Sequence, residues 1–205
     1  VKECFGDSAF VSQHHLSAVN SINIARVLAQ CVYYIWAWLK LPESARSNVE
    51  FVVPTGNFGN VLAGWLAHQM GLPAKSFRVA TNQNDILYRF FESGEYRQGE
   101  VQPSHAPSMD IQAASNFERY LYFLLDKDSA KVRDVMARMK AGEAVNLPRP
   151  QSGFRATRMS DETIPLVIAQ MWKDWQYVID PHTACAFTNM AADCVSVVLS
   201  TASPA

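Results

Sequence analysis

The sequence predicts an α/β protein in which a parallel sheet is flanked by helices. Two short apolar runs, Val49-Glu50-Phe51-Val52-Val53 and Ser76-Phe77-Arg78-Val79-Ala80, carry the β-branched residues expected of buried strands. A helical pattern follows each, over 61–71 and then 84–93, with Gly71 and Gly94 as stops. Strand, loop, helix, strand and helix thus fill residues 49–93, an alternation that implies parallel strands with helices on the faces. Ligands of such sheets gather at the carboxyl ends of the strands, where residues 54–60 and 81–85 fall.

Composition bounds the rest. The 205 residues are 49% hydrophobic and 18% charged, enough apolar material for a sizeable core. A formal net charge of −1 argues against nucleic acid as a partner. Cys4, Cys31, Cys185 and Cys194 show no Cys-x-x-Cys spacing, which suggests a reducing, cytoplasmic setting without disulfides. The five histidines have no metal-ligand spacing, so no metal is expected. The longest apolar stretch, residues 27–39, is too short to span a bilayer. The chain opens on Val-Lys-Glu and stops at Ser-Pro-Ala just after an apolar run, so it is expected to be a fragment, incomplete at both ends.

Residues 1–19 lack a clear period and read as loop. A helix capped by Asn20 or Ser21 runs to about Lys40, where Pro42 forbids continuation. Nearly every position from Ile22 to Leu39 is apolar, so this helix is expected to be enclosed on most sides. Asn23, Arg26 and Gln30 share one face of it. A buried arginine needs an anion, either a core carboxylate or a ligand carboxylate or phosphate. Further on, residues 97–108 read as loop and 113–125 as helix. Residues 131–140 form an amphipathic helix with Val132, Val135, Met136 and Met139 inward. Residues 142–159 read as a long polar loop. Ser160 caps a helix reaching about Lys173, residues 184–193 form another, and residues 195–200 form a last strand ending at Thr201.

Pro54-Thr55-Gly56-Asn57-Phe58-Gly59-Asn60 joins the first strand to its helix. Backbone N–H groups of such a turn and the helix dipole attract anions, and glycines admit close approach by a phosphate. The loop lacks the Lys-Ser/Thr ending of a nucleoside-triphosphate loop and the Gly-x-Gly-x-x-Gly of a dinucleotide fold. A plain strand–helix turn and an anion cradle are both open on this motif.

Seven blocks carry a family resemblance: Asn20-Ser21-Ile22-Asn23-Ile24-Ala25-Arg26, the 54–60 loop, Asn82-Gln83-Asn84-Asp85, Pro107-Ser108-Met109-Asp110-Ile111, Ser115-Asn116-Phe117-Glu118-Arg119, Asp180-Pro181-His182-Thr183-Ala184 and Thr201-Ala202-Ser203-Pro204-Ala205. In this order they resemble the threonine synthase family, in the longer form of fungi and many bacteria. The resemblance implies the tryptophan synthase β-like fold (fold type II) around pyridoxal 5′-phosphate, with residues 1–205 as part of the cofactor-binding region. It implies conversion of O-phospho-L-homoserine and water to L-threonine and phosphate, by γ-elimination and β-addition, in a monomer or homodimer. Gly56, Asn57, Phe58, Gly59 and Asn60 would hold the cofactor phosphate, and Thr201 would bond the pyridine nitrogen. Asn20 and Arg26, with Asn57 close by, would meet the substrate phosphate. Asn82, Asp85 and Thr183 are weaker site candidates. The family's Schiff-base lysine lies in a Ser-Phe-Lys-Asp type block that this sequence does not contain, so the piece alone is expected to be inactive. A threonine synthase-like phospholyase would share nearly all these motifs, and a non-catalytic binding module is the further alternative.

Overall fold

In the structure, a computed structural model, residues 7–14, 23–150 and 152–203 are described. A short helix, α1 (Ser8–His14), precedes the long helix α2 (Ile24–Lys40). Asn23, rather than Asn20 or Ser21, caps α2: its side chain accepts from the Ala25 N–H at 2.9 Å. Asn20 and the expected 1–19 loop, apart from residues 7–14, lie outside the described residues.

Strand β1 (Val49–Pro54), helix α3 (Gly59–Gln69), strand β2 (Ser76–Thr81) and helix α4 (Ile86–Ser93) follow as expected. Gly71 and Gly94 take positive φ after α3 and α4. At Gly94 a Cβ would lie 2.5 Å from the Leu147 carbonyl, so a side chain is excluded there by contact as well as by conformation. Helices α5 (Phe117–Leu124) and α6 (Ser129–Lys140) form the next layer.

Residues 142–159, expected as a loop, hold two strands. Val145–Asn146 (β4) pairs antiparallel with Glu95–Tyr96 (β3), and Phe154–Arg158 (β5) pairs parallel with β2. The Phe-Arg-Ala-Thr-Arg alternation sets Phe154 and Ala156 against the core, a period-2 signal hidden behind Pro148, Pro150 and Gly153. Helix α7 (Thr163–Trp175) tolerates Pro165 in its first turn. The expected helix over 184–193 is shorter and earlier: α8 (Pro181–Ala184) and one 3-10 turn, Cys185–Phe187. Strand β6 (Val195–Val198) then completes a parallel sheet of order β5-β2-β1-β6.

One face of the sheet, with Phe51, Val53, Phe77 and Val79, packs under α2, α3 and an aromatic cluster of Phe58, Phe90, Phe91, Phe117 and Tyr120. The other face carries Val52 and Ala80, against which Ala186 packs, together with a buried ion pair, Glu50 with Arg78. Arg78 also donates to the carbonyls of Thr188 and Asn189 at 2.9 and 2.6 Å, fastening the segment that leads into β6. Helix α2 is not enclosed as expected. Only Val27, Cys31 and Tyr34 are buried, while Leu28, Val32, Ile35, Trp36 and Leu39 are exposed.

Candidate functional site

Strand β1 lies between β2 and β6, so the loops leaving the carboxyl ends of β1 and β6 are neighbours. They wall a cleft of about 820 Å³, lined by Arg26, Gln30 and Tyr33 of α2, residues 54–60, Ser108, Met109, His182 and residues 199–202. Gly56, Asn57, Phe58, Gly59, Asn60, Arg26 and Thr201 are thus brought together, with Asn20 outside the described residues.

The turn between β1 and α3 is shaped by its core contacts. Phe58 is its left-handed residue, with φ 62°, and its ring is buried against Phe117 at 5.1 Å between centroids. Neither Gly56 nor Gly59 has positive φ. Gly56 is required by crowding: a Cβ there would lie 2.8 Å from the Ser108 carbonyl. Phe58 can therefore offer the cleft its backbone N–H and not its ring.

No backbone N–H of residues 56–61 bonds another described residue, whereas Leu62 N–H already bonds Phe58 O at 2.9 Å. Six successive donors at the N-terminus of an eleven-residue helix add to about half a positive charge from the helix dipole. The side chains sharpen this. Ser115 donates to Asn57 Oδ1 at 3.2 Å, leaving the Asn57 amide N–H groups as its offered donors. Asn116 Nδ2 is buried without a hydrogen-bond partner and lies 3.2 Å from where a Gly59 Cβ would be. Asn60 is committed elsewhere on its acceptor side, since Tyr34 Oη–H meets its Oδ1 at 2.7 Å and its carbonyl at 2.8 Å. A donor-rich concavity without a carboxylate in its lining fits a phosphate group.

Arg26 is exposed to the cleft. The three weaker candidates bond within the fold. Asn82 caps Asn84 and bonds Asp110 at 2.7 Å, Asp85 pairs with Arg89 and Arg158, and Thr183 donates to Asp180. None of the three lines the cleft. Gln30, Tyr33, Ser108, Ser200 and His182 also line the cleft and were not among the expected site residues. The face shared by Arg26 and Gln30 was a usable signal for Gln30, whereas Ser108 and His182 reach the cleft only through tertiary contacts.

Asp180 is 2% exposed, and burial alone would raise its pKa. Hydrogen bonds from Thr183 and His182 outweigh that and hold the carboxyl below its usual range. Burial pushes the Cys185 thiol up to about 12, with Asp161 and Asp180 adding to the rise, and burial also raises Cys31. Among the described residues, no group of His, Cys, Asp and Glu could hold a metal ion, and no helix is long and apolar enough to cross a membrane.

No protein-family model matches the chain. It is 39% identical over 242 residues to threonine synthase of Schizosaccharomyces pombe, covering 100% of this chain and 47% of that protein. A crystal structure of pyridoxal 5′-phosphate-bound threonine synthase from Brucella melitensis superposes with a TM-score of 0.89 at 39% identity, over 99% of this chain and 46% of that one. The chain belongs to the threonine synthase family. It spans about half the length of the threonine synthases it matches, 47% and 46% in these two cases. Its parallel sheet flanked by helices is the fold type II architecture. Human threonine synthase-like 2 is 36% identical over 196 residues, covering 91% of this chain and 40% of that protein.

Proposed function

We propose that this chain is the part of a threonine synthase that holds the phosphate of pyridoxal 5′-phosphate, the far end of its ring, and the phosphate of O-phospho-L-homoserine. The observation that carries the reading is the shared cleft: residues 56–60 after β1, whose five backbone N–H groups bond no other described residue, and Thr201 beyond β6 line one cavity. When bound, the cofactor supplies an electron sink for charge developing on substrate carbons. The N–H groups of residues 56–60 and the Asn57 amide would anchor its phosphate. The Thr201 hydroxyl bonds the pyridine nitrogen without a negative charge beside it to draw a proton there. Arg26, whose guanidinium fork suits a phosphate, binds the substrate phosphate and compensates its charge as that group departs. No lysine lines the cleft among the described residues, in keeping with a Schiff-base lysine on a segment outside these 205 residues.

The parent protein is read as a cytoplasmic amino-acid biosynthetic lyase. Purified full-length protein given pyridoxal 5′-phosphate and O-phospho-L-homoserine should release L-threonine and phosphate. 2-Oxobutyrate as the main product would favour a phospholyase of the threonine synthase-like kind.

A further inference from the structure

Helix α8 brings His182 to the wall of the cleft, and its capping carboxylate does more than cap. Asp180 Oδ1 accepts from the N–H groups of His182 and Thr183 at 2.8 and 3.1 Å and from His182 Nδ1 at 3.0 Å. Asp180 Oδ2 accepts from the Thr183 hydroxyl, whose oxygen lies 3.4 Å from Ser200 Oγ. On its other side, His182 Nε2 meets the Ser108 N–H at 3.2 Å. An amide N–H can only donate, so Nε2 carries the lone pair and Nδ1 the proton, which it gives to Asp180. Ser108 is the residue whose carbonyl crowds Gly56. One carboxylate is therefore linked to both ends of the cleft: through His182 and Ser108 to the cradle, and through Thr183 to Ser200, the residue before Thr201.

We propose that Asp180 and His182 are positioning residues that set the span between the phosphate cradle and the Thr201 hydroxyl. The ligand class they serve is a planar heterocycle with a phosphate at one end and a hydrogen-bonding ring nitrogen at the other. The inference rests on the reading of the cleft as the cofactor site. It differs from a purely structural role in one respect. A span matters to a ligand that touches both ends, and not to an anion that touches the cradle alone.

The test uses the full-length parent protein with two probes, pyridoxal 5′-phosphate and inorganic phosphate. His182→Leu removes the acceptor for Ser108 N–H, and His182→Gln can restore one through its side-chain oxygen. His182→Leu should weaken pyridoxal 5′-phosphate binding about tenfold, the size of one lost hydrogen bond. Inorganic phosphate affinity should hold, and His182→Gln should recover most of the loss. Equal weakening for both probes, or no weakening, overturns the proposal. Asp180→Asn keeps an oxygen for the α8 cap, and carries the same comparison should His182→Leu not fold. Failure of the unsubstituted protein to take up pyridoxal 5′-phosphate would instead overturn the cofactor reading. Amide exchange at Ser108, read without cofactor, decides the positioning role of His182 in that case: it should quicken in His182→Leu and not in His182→Gln, and equal exchange overturns it.

Discussion

Two arginines mark two kinds of surface in this molecule. Arg78, on β2, is fully buried, with Glu50 and two backbone carbonyls meeting its two terminal nitrogens and its Nε left without a partner. Arg26, on α2, lies open at the cleft with Gln30 and Tyr33 as neighbours along the helix. The sequence pattern marks the wrong one as buried, because Arg26 sits in the more apolar run. What separates them is how much of each element is covered by packing. Strand β2 meets packing on both faces, whereas α2 packs by one stripe, Val27, Cys31 and Tyr34. An apolar helix is therefore no proof of enclosure, and a charge within a strand no proof of an edge.

The sharpest way to break the contrast is to remove Glu50. Glu50→Ala leaves Arg78 buried without its counter-charge, and the unfolding free energy from urea titration of the full-length protein should fall by about 3–5 kcal/mol. A loss similar to that of an exposed pair would mean that the carbonyls of Thr188 and Asn189 suffice. Gly56→Val comes next. Its Cβ would press on the Ser108 carbonyl, so stability should fall by about 1–3 kcal/mol through overpacking. Cofactor absorbance should be lost with it, and a protein that kept both would refute the tight approach at that turn.

Arg26→Ala should cost within about 0.5 kcal/mol of stability. Its effect should fall on the KM for phosphorylated substrate, raised about tenfold as expected for a lost charged hydrogen bond. If cofactor affinity fell and KM held, the two phosphate roles would be interchanged.

The smallest effect concerns Asp180, a buried carboxylate held by hydrogen bonds and not by a strong cation. Its folded pKa lies below the ordinary value of 3.8. Its ionised form thus contributes stability that is fully present above that value and is lost as pH falls through the folded value. Acid denaturation of Asp180→Asn should lose that part of the limb below about pH 4 and match the unsubstituted protein's slope above it. An unchanged acid limb would show that the carboxylate adds nothing by its charge.

Much of the sheet was legible because β1 and β2 are short, mostly apolar runs rich in valine and phenylalanine, as suits strands buried on both faces, with Glu50 and Arg78 as a paired exception. β5 was not, since Phe154 and Ala156 alternate with arginines and threonine within a segment punctuated by prolines. The cradle was legible as backbone chemistry at 54–60, yet the reason for its glycine was not. Gly56 answers to Ser108, more than fifty residues away. His182 was invisible for the same reason, because its partner is an amide with no side-chain signature.

Phe58 is a non-glycine residue in a left-handed conformation, held there by a ring sunk among Phe91, Phe117 and Tyr120. The shape of the anion site is thus stored in the hydrophobic core and exists before any ligand arrives. A site stored in this way acts as a rigid mould. Phosphate should enter it in a single step whose observed rate rises linearly with concentration, without the plateau that a loop folding around its guest would impose.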